Sequence, residues 1–384
     1  MGKLKKKIPI LKLDYSKEDI NFILKGIEKV LKSGFLTMSD RVLEFEKAFS
    51  EFCNVKYAIG TSSGTSSLEI IMRVIDVSQG TVVMPSNTYM ATPLSAIKAG
   101  AKVIFTDCNP NTLQMDPNDL KKKIRQDTKA VILVHIGGII SPEIDQIKEI
   151  CDSKNIPLIE DAAHAHGSEL LGKKAGSFGI AGSFSFYPTK VLNTAEGGMI
   201  TTNNYEVYQR AKIFREHGKQ NHAENVHVEI GDNWRYSEIH AVLGLQQMKK
   251  VNNILSQRRK IASLYDKKLT NLDYLTRLKL PSYVNPSYYK YITFLPKIFD
   301  RSKVKSLLKQ NYGIELPGEV YSHPCHSQPV FHKYKNYVVN PKDDKFPSTE
   351  NVCKTQLCLP VYPGLKSEEI KYIVDSIITV LDNY

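Results

Sequence analysis

The sequence predicts an α/β protein in two parts: a large domain over residues 1–250, with a mostly parallel, mixed sheet flanked by helices, and a smaller α+β domain over 251–384. Three observations predict it. Between about residues 55 and 205, short runs apolar on both faces alternate with helix-like segments, the pattern of a sheet covered on both sides. A long amphipathic stretch follows, and prolines then divide the remainder into short pieces. The length agrees, since 384 residues exceed one domain of about 150.

In chain order, a strand-like run ends near Ile59, and strands are expected at 81–85, 102–106, 130–135, 156–160, 182–186 and 198–202. Helices are expected between them near 64–76, 91–99, 117–125 and 142–154. From 236 to 270, Ile239, Val242, Leu243, Leu245, Met248, Val251, Ile254 and Leu255 make an apolar stripe and residues 257–260 a charged face. A helix of that length bridges domains. Beyond it, a strand at 291–295 and helices near 301–310 and 366–381 complete the smaller unit, and no internal repeat is present.

Composition removes several classes of function. The chain is 42% hydrophobic and 24% charged, as in ordinary globular proteins rather than disordered or fibrous ones. The net charge is +12, but Lys3, Lys5, Lys6 and Lys7 crowd into one N-terminal run expected to be a solvated tail. The remaining mild excess suits an anionic small substrate, and without Arg/aromatic interleaving it points away from nucleic acid. No apolar run approaches the roughly 20 residues of a membrane helix, and the N-terminus has no apolar signal core, so a cytoplasmic protein is expected. Six cysteines without regular pairing form no disulfide framework. His323, Cys325 and His326, with Cys353 and Cys358 in an expected helical stretch before Pro360, lack the short spacing of a zinc site, and no metal is expected.

Three motifs carry chemistry. Gly60-Thr-Ser-Ser-Gly-Thr-Ser-Ser67 follows a strand and opens a helix, where small residues expose N–H groups and hydroxyls to a phosphate; it reads equally well as a plain helix cap. Asp161 ends the apolar run Leu158-Ile-Glu-Asp161, the sheet edge at which α/β proteins bind ligands, where it could pair with a cationic atom or cap the next helix. Ser183-Phe-Ser-Phe-Tyr-Pro-Thr-Lys190 delivers a lysine just past a strand, where desolvation would lower its pKa and make the amine nucleophilic. Taken singly, a surface lysine is the ordinary reading. Phosphate cradle, strand-end carboxylate and a lysine 29 residues after it are together the parts that hold pyridoxal 5′-phosphate.

From about residue 8 to 380 the chain resembles the DegT-type (DegT/DnrJ/StrS) nucleotide-sugar aminotransferases, pyridoxal-phosphate enzymes of the aspartate-aminotransferase fold, fold type I. The matching motifs include Gly64-Thr65, Pro85-Ser-Asn-Thr-Tyr-Met-Ala91, Glu160-Asp-Ala-Ala-His-Ala-His-Gly167, Ser185-Phe-Tyr-Pro-Thr-Lys190, Glu196-Gly-Gly198, Arg215-Glu-His-Gly218, Asn233-Trp-Arg-Tyr-Ser-Glu238, His326-Ser-Gln-Pro329 and Leu359-Pro-Val-Tyr-Pro-Gly364. The resemblance implies Lys190 as the Schiff-base lysine, Asp161 as partner of the pyridinium nitrogen, Tyr89 as the ring-stacking aromatic, and Gly64, Thr65 and Ser185 at the phosphate. Asn233 resembles an asparagine that reaches the phosphate from the neighbouring subunit, which implies a homodimer with shared active sites. His164 stands where many relatives carry Gln near the ring 3-hydroxyl, Thr194-Ala-Glu196 replaces a commoner glycine-containing turn, and residues 137–141 differ from the usual loop.

The expected reaction moves an amino group from L-glutamate to a nucleotide-linked 3- or 4-keto sugar, for polysaccharide or secondary-metabolite synthesis. Arg215, Lys219, Arg235, Tyr321 and His326 are expected near the sugar nucleotide. A related sugar dehydratase is the nearest rival, but such relatives carry histidine in place of the lysine; a non-catalytic sensor would not need the complete Lys190, Asp161 and Ser185 set.

Overall fold

The computed structural model of the chain describes residues 7–221, 224–270, 272 and 274–384. Of the expected basic tail, Lys3, Lys5 and Lys6 lie outside the described residues, and Lys7 is exposed. Helix α1 (Lys17–Ser33) opens on a reciprocal cap between Ser16 and Asp19 and closes at Gly34 with φ of +75°. Helix α2 (Asp40–Cys53) lacks a side-chain cap of its own. Glu238 supplies one from far along the chain, accepting from the N–H groups of Ser39, Arg41 and Val42.

The alternation follows as β1 (Tyr57–Thr61), α3 (Gly64–Val74), β2 (Thr81–Pro85), α4 (Ala91–Lys98), β3 (Lys102–Thr106), α5 (Pro117–Lys123), β4 (Thr128–Val134), α6 (Ile144–Asp152) and β5 (Leu158–Asp161). After the short strands β6 (Glu169–Leu170) and β7 (Lys173–Lys174) come β8 (Ala181–Ser185), β9 (Gly198–Thr202) and α7 (Tyr205–Arg215). These build a seven-stranded sheet in the order β1-β9-β8-β5-β4-β2-β3. Only β9 runs against its neighbours, so the sheet is mixed but mostly parallel. The register sets Val134 beside Asp161 and Asp161 beside Ser183, while Thr61 and Ser185 both face Gly198. One edge of the sheet thereby gathers the strand ends on which the site is built.

Helix α8 (Glu238–Leu269) leads into β10 (Thr276–Arg277), β11 (Val284–Asn285), β12 (Tyr291–Phe294), α9 (Arg301–Tyr312), α10 (Pro329–Lys333), α11 (Pro347–Thr355), β13 (Gln356–Leu359) and α12 (Ser367–Asp382). Strands β10, β12 and β13 form an antiparallel sheet. Cys353 lies on α11 but Cys358 on β13, so the expected helix through both cysteines is interrupted at Gln356. Among the described residues no cluster of His, Cys, Asp or Glu could hold a metal ion, and no helix is long and apolar enough to cross a membrane.

Two apolar cores hold these layers. In the first, Phe49 packs edge-on to Phe184 and Phe186, with ring centroids 4.9 and 5.4 Å away; each such buried ring contributes about 1.5–3 kcal/mol. The second gathers Tyr265, Leu308, Ile314, Leu357, Ile370 and Ile377. Helix α8 serves both, giving Val251, Ile254 and Leu255 to the first and Ile261, Ala262, Tyr265 and Leu269 to the second. The first core also takes Val284, Ile292, Val320 and Cys358 from beyond α8, so the two cores do not part at a single residue. The N-terminal arm was expected with the large domain, yet Ile8 is fully buried in the second core and bridges to Ile314.

Candidate active site

The cleft, about 340 Å³, opens where the C-terminal ends of β1, β5 and β8 meet the loop after β2. Gly64 begins α3 directly against β8: a Cβ there would lie 2.8 Å from the Ser185 Cβ and 3.1 Å from the Phe184 carbonyl oxygen. At Gly198 a Cβ would meet the Ser63 carbonyl oxygen at 2.2 Å. These two glycines let the helix N-terminus sit down on the strands. Ser63 and Ser66 cap the helix reciprocally. Among the described residues, no protein group hydrogen-bonds the Thr65 or Ser185 side chain, and both hydroxyls border the cleft. Free hydroxyls at a positive helix end form a cradle for an anion.

Asp161 ends β5 at 6% exposure. Its Oδ2 accepts from the Thr92 hydroxyl at 2.8 Å and its Oδ1 from the Ala163 N–H at 3.2 Å. Burial pushes the carboxyl pKa up, while Thr92, Ala163 and the Lys190 charge hold it down. A carboxylate so placed is stabilised by a cationic N–H presented from the cleft.

Lys190 sits on the turn after β8, partly buried, with its Nζ 4.8 Å from the centre of the Tyr289 ring. Burial lowers its pKa from 10.5 to about 8, Asp161 opposing and Lys290 adding to the fall. The sign matters: a lowered pKa leaves a reactive free amine at a pH where an ordinary lysine is almost all ammonium. Capture of pyridoxal phosphate by the apoprotein is therefore expected to accelerate with pH and level off above an inflection near 8. Stopped-flow absorbance from pH 6 to 11 checks this, and an inflection at the ordinary lysine value would show a solvated amine.

Tyr89, 61% exposed, lies at the rim with its ring centre 5.7 Å from that of Tyr321. His164, 4% exposed, stacks on Tyr289 at 4.1 Å, and its Nδ1 has no hydrogen-bond partner. Burial, with the Lys190 and Lys290 charges behind it, holds its imidazole pKa well below the usual range. Ala195 carries the turn beside the cleft at φ of +69°, a conformation that costs a non-glycine residue about 1–2 kcal/mol.

The cleft thus gathers Gly64, Thr65, Tyr89, Asp161, His164, Ser185, Lys190 and Tyr321. The other expected site residues do not line it. Arg215 is 3% exposed, its Nη1 donating to Glu46 Oε1 at 2.6 Å and to the Gly60 carbonyl at 2.9 Å, so its charge is spent inside the fold. Arg235 pairs with Glu216 at 2.7 Å, and Lys219 bridges through its backbone to His227. His326 stacks on Phe346 at 4.2 Å and hydrogen-bonds Ser86 at 2.7 Å. Asn233 is exposed, bridging Glu216. Tyr187, Thr189 and Glu196, which the sequence motifs contain without a role of their own, also line the cleft, as does Tyr289, for which the run Tyr288-Tyr289-Lys290-Tyr291 was the signal available.

An anion cradle, a buried carboxylate awaiting a cationic N–H and a desolvated lysine in one cleft are the parts of a pyridoxal-phosphate-dependent enzyme, and the residues present fit that cofactor. The chain belongs to the DegT/DnrJ/EryC1/StrS aminotransferase family, which it matches over residues 17–378. It is similar to the UDP-4-amino-4,6-dideoxy-N-acetyl-beta-L-altrosamine transaminase of Campylobacter jejuni, 31% identical over 96% of this chain and 98% of that one. The GDP-perosamine synthase of Escherichia coli O157:H7 is 33% identical over 88% and 89% of the two chains. Among solved structures, DesV of S. venezuelae in complex with a ketimine intermediate superposes with a TM-score of 0.88 at 25% identity, over 97% of each chain.

Proposed function

We propose that the protein moves the amino group of L-glutamate onto a keto sugar carried by a nucleoside diphosphate, in two half-reactions at this one cleft. The observation that carries the reading is the placing of Lys190 and Asp161 in one cleft with the Gly64 cradle. Both curated relatives are named for nucleotide-linked amino sugars, which supports this substrate class.

Bound here, pyridoxal phosphate supplies a ring that draws electrons from the carbon bearing the amino group and stores that group between half-reactions. The residues then have separable tasks. The first turn of α3, with Thr65 and Ser185, holds the phosphate. Asp161, oriented by Thr92, keeps a proton on the ring nitrogen. Tyr89 covers the ring face. Lys190 Nζ would hold the group covalently and, as a free amine, would carry the proton lost by the amino-bearing carbon of the donor to the cofactor carbon that receives the amino group.

We further propose a homodimer working in the cytoplasm, in polysaccharide or secondary-metabolite sugar synthesis. Asn233, Arg235 and Lys219 share a segment outside their own cleft, as residues serving a neighbouring subunit would, and from it Lys219 would bring positive charge to an anionic diphosphate, the Arg235 charge being shared with Glu216.

The test is the absorbance of the protein with pyridoxal phosphate, before and after L-glutamate. The expected result is a visible band that bleaches as 2-oxoglutarate appears, after which nucleotide-linked keto sugars are screened for restoration of the band. A band that L-glutamate leaves unchanged overturns the donor, and a bleached band that no nucleotide-linked keto sugar restores overturns the acceptor class.

A further inference from the structure

Two cations stand beside the cleft with no anion to meet them. Arg258 on α8 is 3% exposed. Its Nε and Nη2 donate to the carbonyls of Tyr288 and Tyr289, but its Nη1 has no hydrogen-bond partner among the described residues. Lys290, half-buried just before β12, holds its Nζ 5.1 Å from the centre of the Tyr289 ring, and among the described residues no carboxylate or carbonyl takes that ammonium up. Glu319, whose charge reaches Lys290, is already paired with Lys305 at 2.9 Å. Burial lowers the pKa of both cations, that of Arg258 to about 10, the mark of charge held out of water without a counter-charge.

Both side chains line one cavity of about 40 Å³, roughly three times what a single water needs. Apolar Ile10, from the N-terminal arm, and Val361 close it. Thr189 and Tyr289 border this cavity and the cleft alike, and the Lys290 charge is felt at Lys190. The cleft itself offers no such charge. Among the described residues lining it, Lys190 is the one lysine or arginine, and Asp161 and Glu196 are acidic. A donor that reacts at Lys190 keeps its reacting carbon, and the carboxylate on that carbon, on the cleft side. A second carboxylate at the far end of the donor finds its cations past Tyr289 and Thr189.

We propose that Arg258 and Lys290 form the subsite for the side-chain carboxylate of the amino donor, and so make the donor half-reaction selective for a dicarboxylic amino acid. The inference rests on the donor reading above and is independent of the sugar. A guanidinium already fixed by two carbonyls and an ammonium poised beside it are ordered before the donor arrives, so little freedom is lost in gripping it.

The test compares bleaching of the pyridoxal-phosphate band by L-glutamate and by L-glutamine, which has nearly the same size but no side-chain charge. The wild type is expected to favour glutamate by about 10- to 100-fold in kcat/KM, the worth of a charge-assisted hydrogen bond. Lys290→Met is expected to lose most of that preference by slowing glutamate alone, and Lys290→Arg to keep it. Any change in the reactivity of Lys190 itself acts on both amino acids and cancels in the ratio. Glutarate, which has no amino group to react, gives a readout apart from turnover: in calorimetric titration of the loaded protein, Lys290→Met is expected to weaken its binding about tenfold. A wild type that reacts equally fast with both amino acids overturns the proposal with no variant needed, yet leaves glutamate standing as a donor. So does a preference, or a glutarate affinity, that Lys290→Met leaves unchanged. A band that L-glutamate fails to bleach overturns the subsite and the donor reading together.

Discussion

Lys190→Ala is expected to lower turnover by about 10⁴-fold or more while leaving the fold intact, because the one side chain performs both covalent capture and proton transfer. Lys190 sits on a turn, and its contact with the Tyr289 ring at 4.8 Å is a cation–π interaction worth about 0.5–1 kcal/mol. Against that stands the cost of holding a desolvated ammonium. With its pKa lowered to about 8 in the folded state, Lys190 opposes folding below that pH, and the penalty fades as pH rises toward 10.5. Removing the charge at pH 7 should therefore leave the thermal midpoint near or above that of the wild type. Steady-state transamination and a melting curve on one preparation check both halves. A Lys190→Ala protein that aminated its acceptor at a rate comparable to the wild type would take Lys190 out of the reaction.

The alternating layers were legible because each strand of the large sheet is a short run buried on both faces, and the edges of β2, β3 and β9 fall where their apolar residues begin and end. The reversed direction of β9 was not, since period and burial look alike in parallel and antiparallel strands. Helices α1 and α2 went unassigned although Ser16, Asp19 and Gly34 mark the ends of the first. The second is capped by Glu238, a contact no local pattern announces. At the site, motif residues within one strand and its turn were readable: Asp161, Ser185 and Lys190 all border the cleft. Tyr289 was not, because it lies in the far part of the chain and approaches only when α8 folds back, Arg258 holding the carbonyls of Tyr288 and Tyr289. The basic residues proposed for substrate were chosen for charge alone. Charge does not reveal whether an arginine faces a ligand or a buried glutamate, and Arg215 faces the glutamate.

That burial turns a presumed substrate residue into a prediction about stability. Arg215 Nη1 meets Glu46 at 2.6 Å, Glu46 Oε1 also takes the Gly60 N–H at 2.7 Å, and the same guanidinium reaches the Gly60 carbonyl. One ion pair thus ties α2, β1 and the end of α7 together behind the cleft. Arg215→Met keeps much of the side-chain volume but strands the Glu46 carboxylate, and breaking a buried pair from one side costs about 3–5 kcal/mol. The Gly60 N–H still satisfies part of that carboxylate, so the loss is expected at the lower end. Arg215→Met combined with Glu46→Leu removes the stranded charge and should recover a good part of the loss, since a buried ion pair replaced by apolar groups of similar size is often close to neutral. Denaturant melts of the two single variants and the double variant measure the coupling directly. Near-additive losses would show that the pair is not coupled. An Arg215→Met protein of wild-type stability with a raised KM for the sugar nucleotide would return the arginine to the substrate, against the geometry seen here.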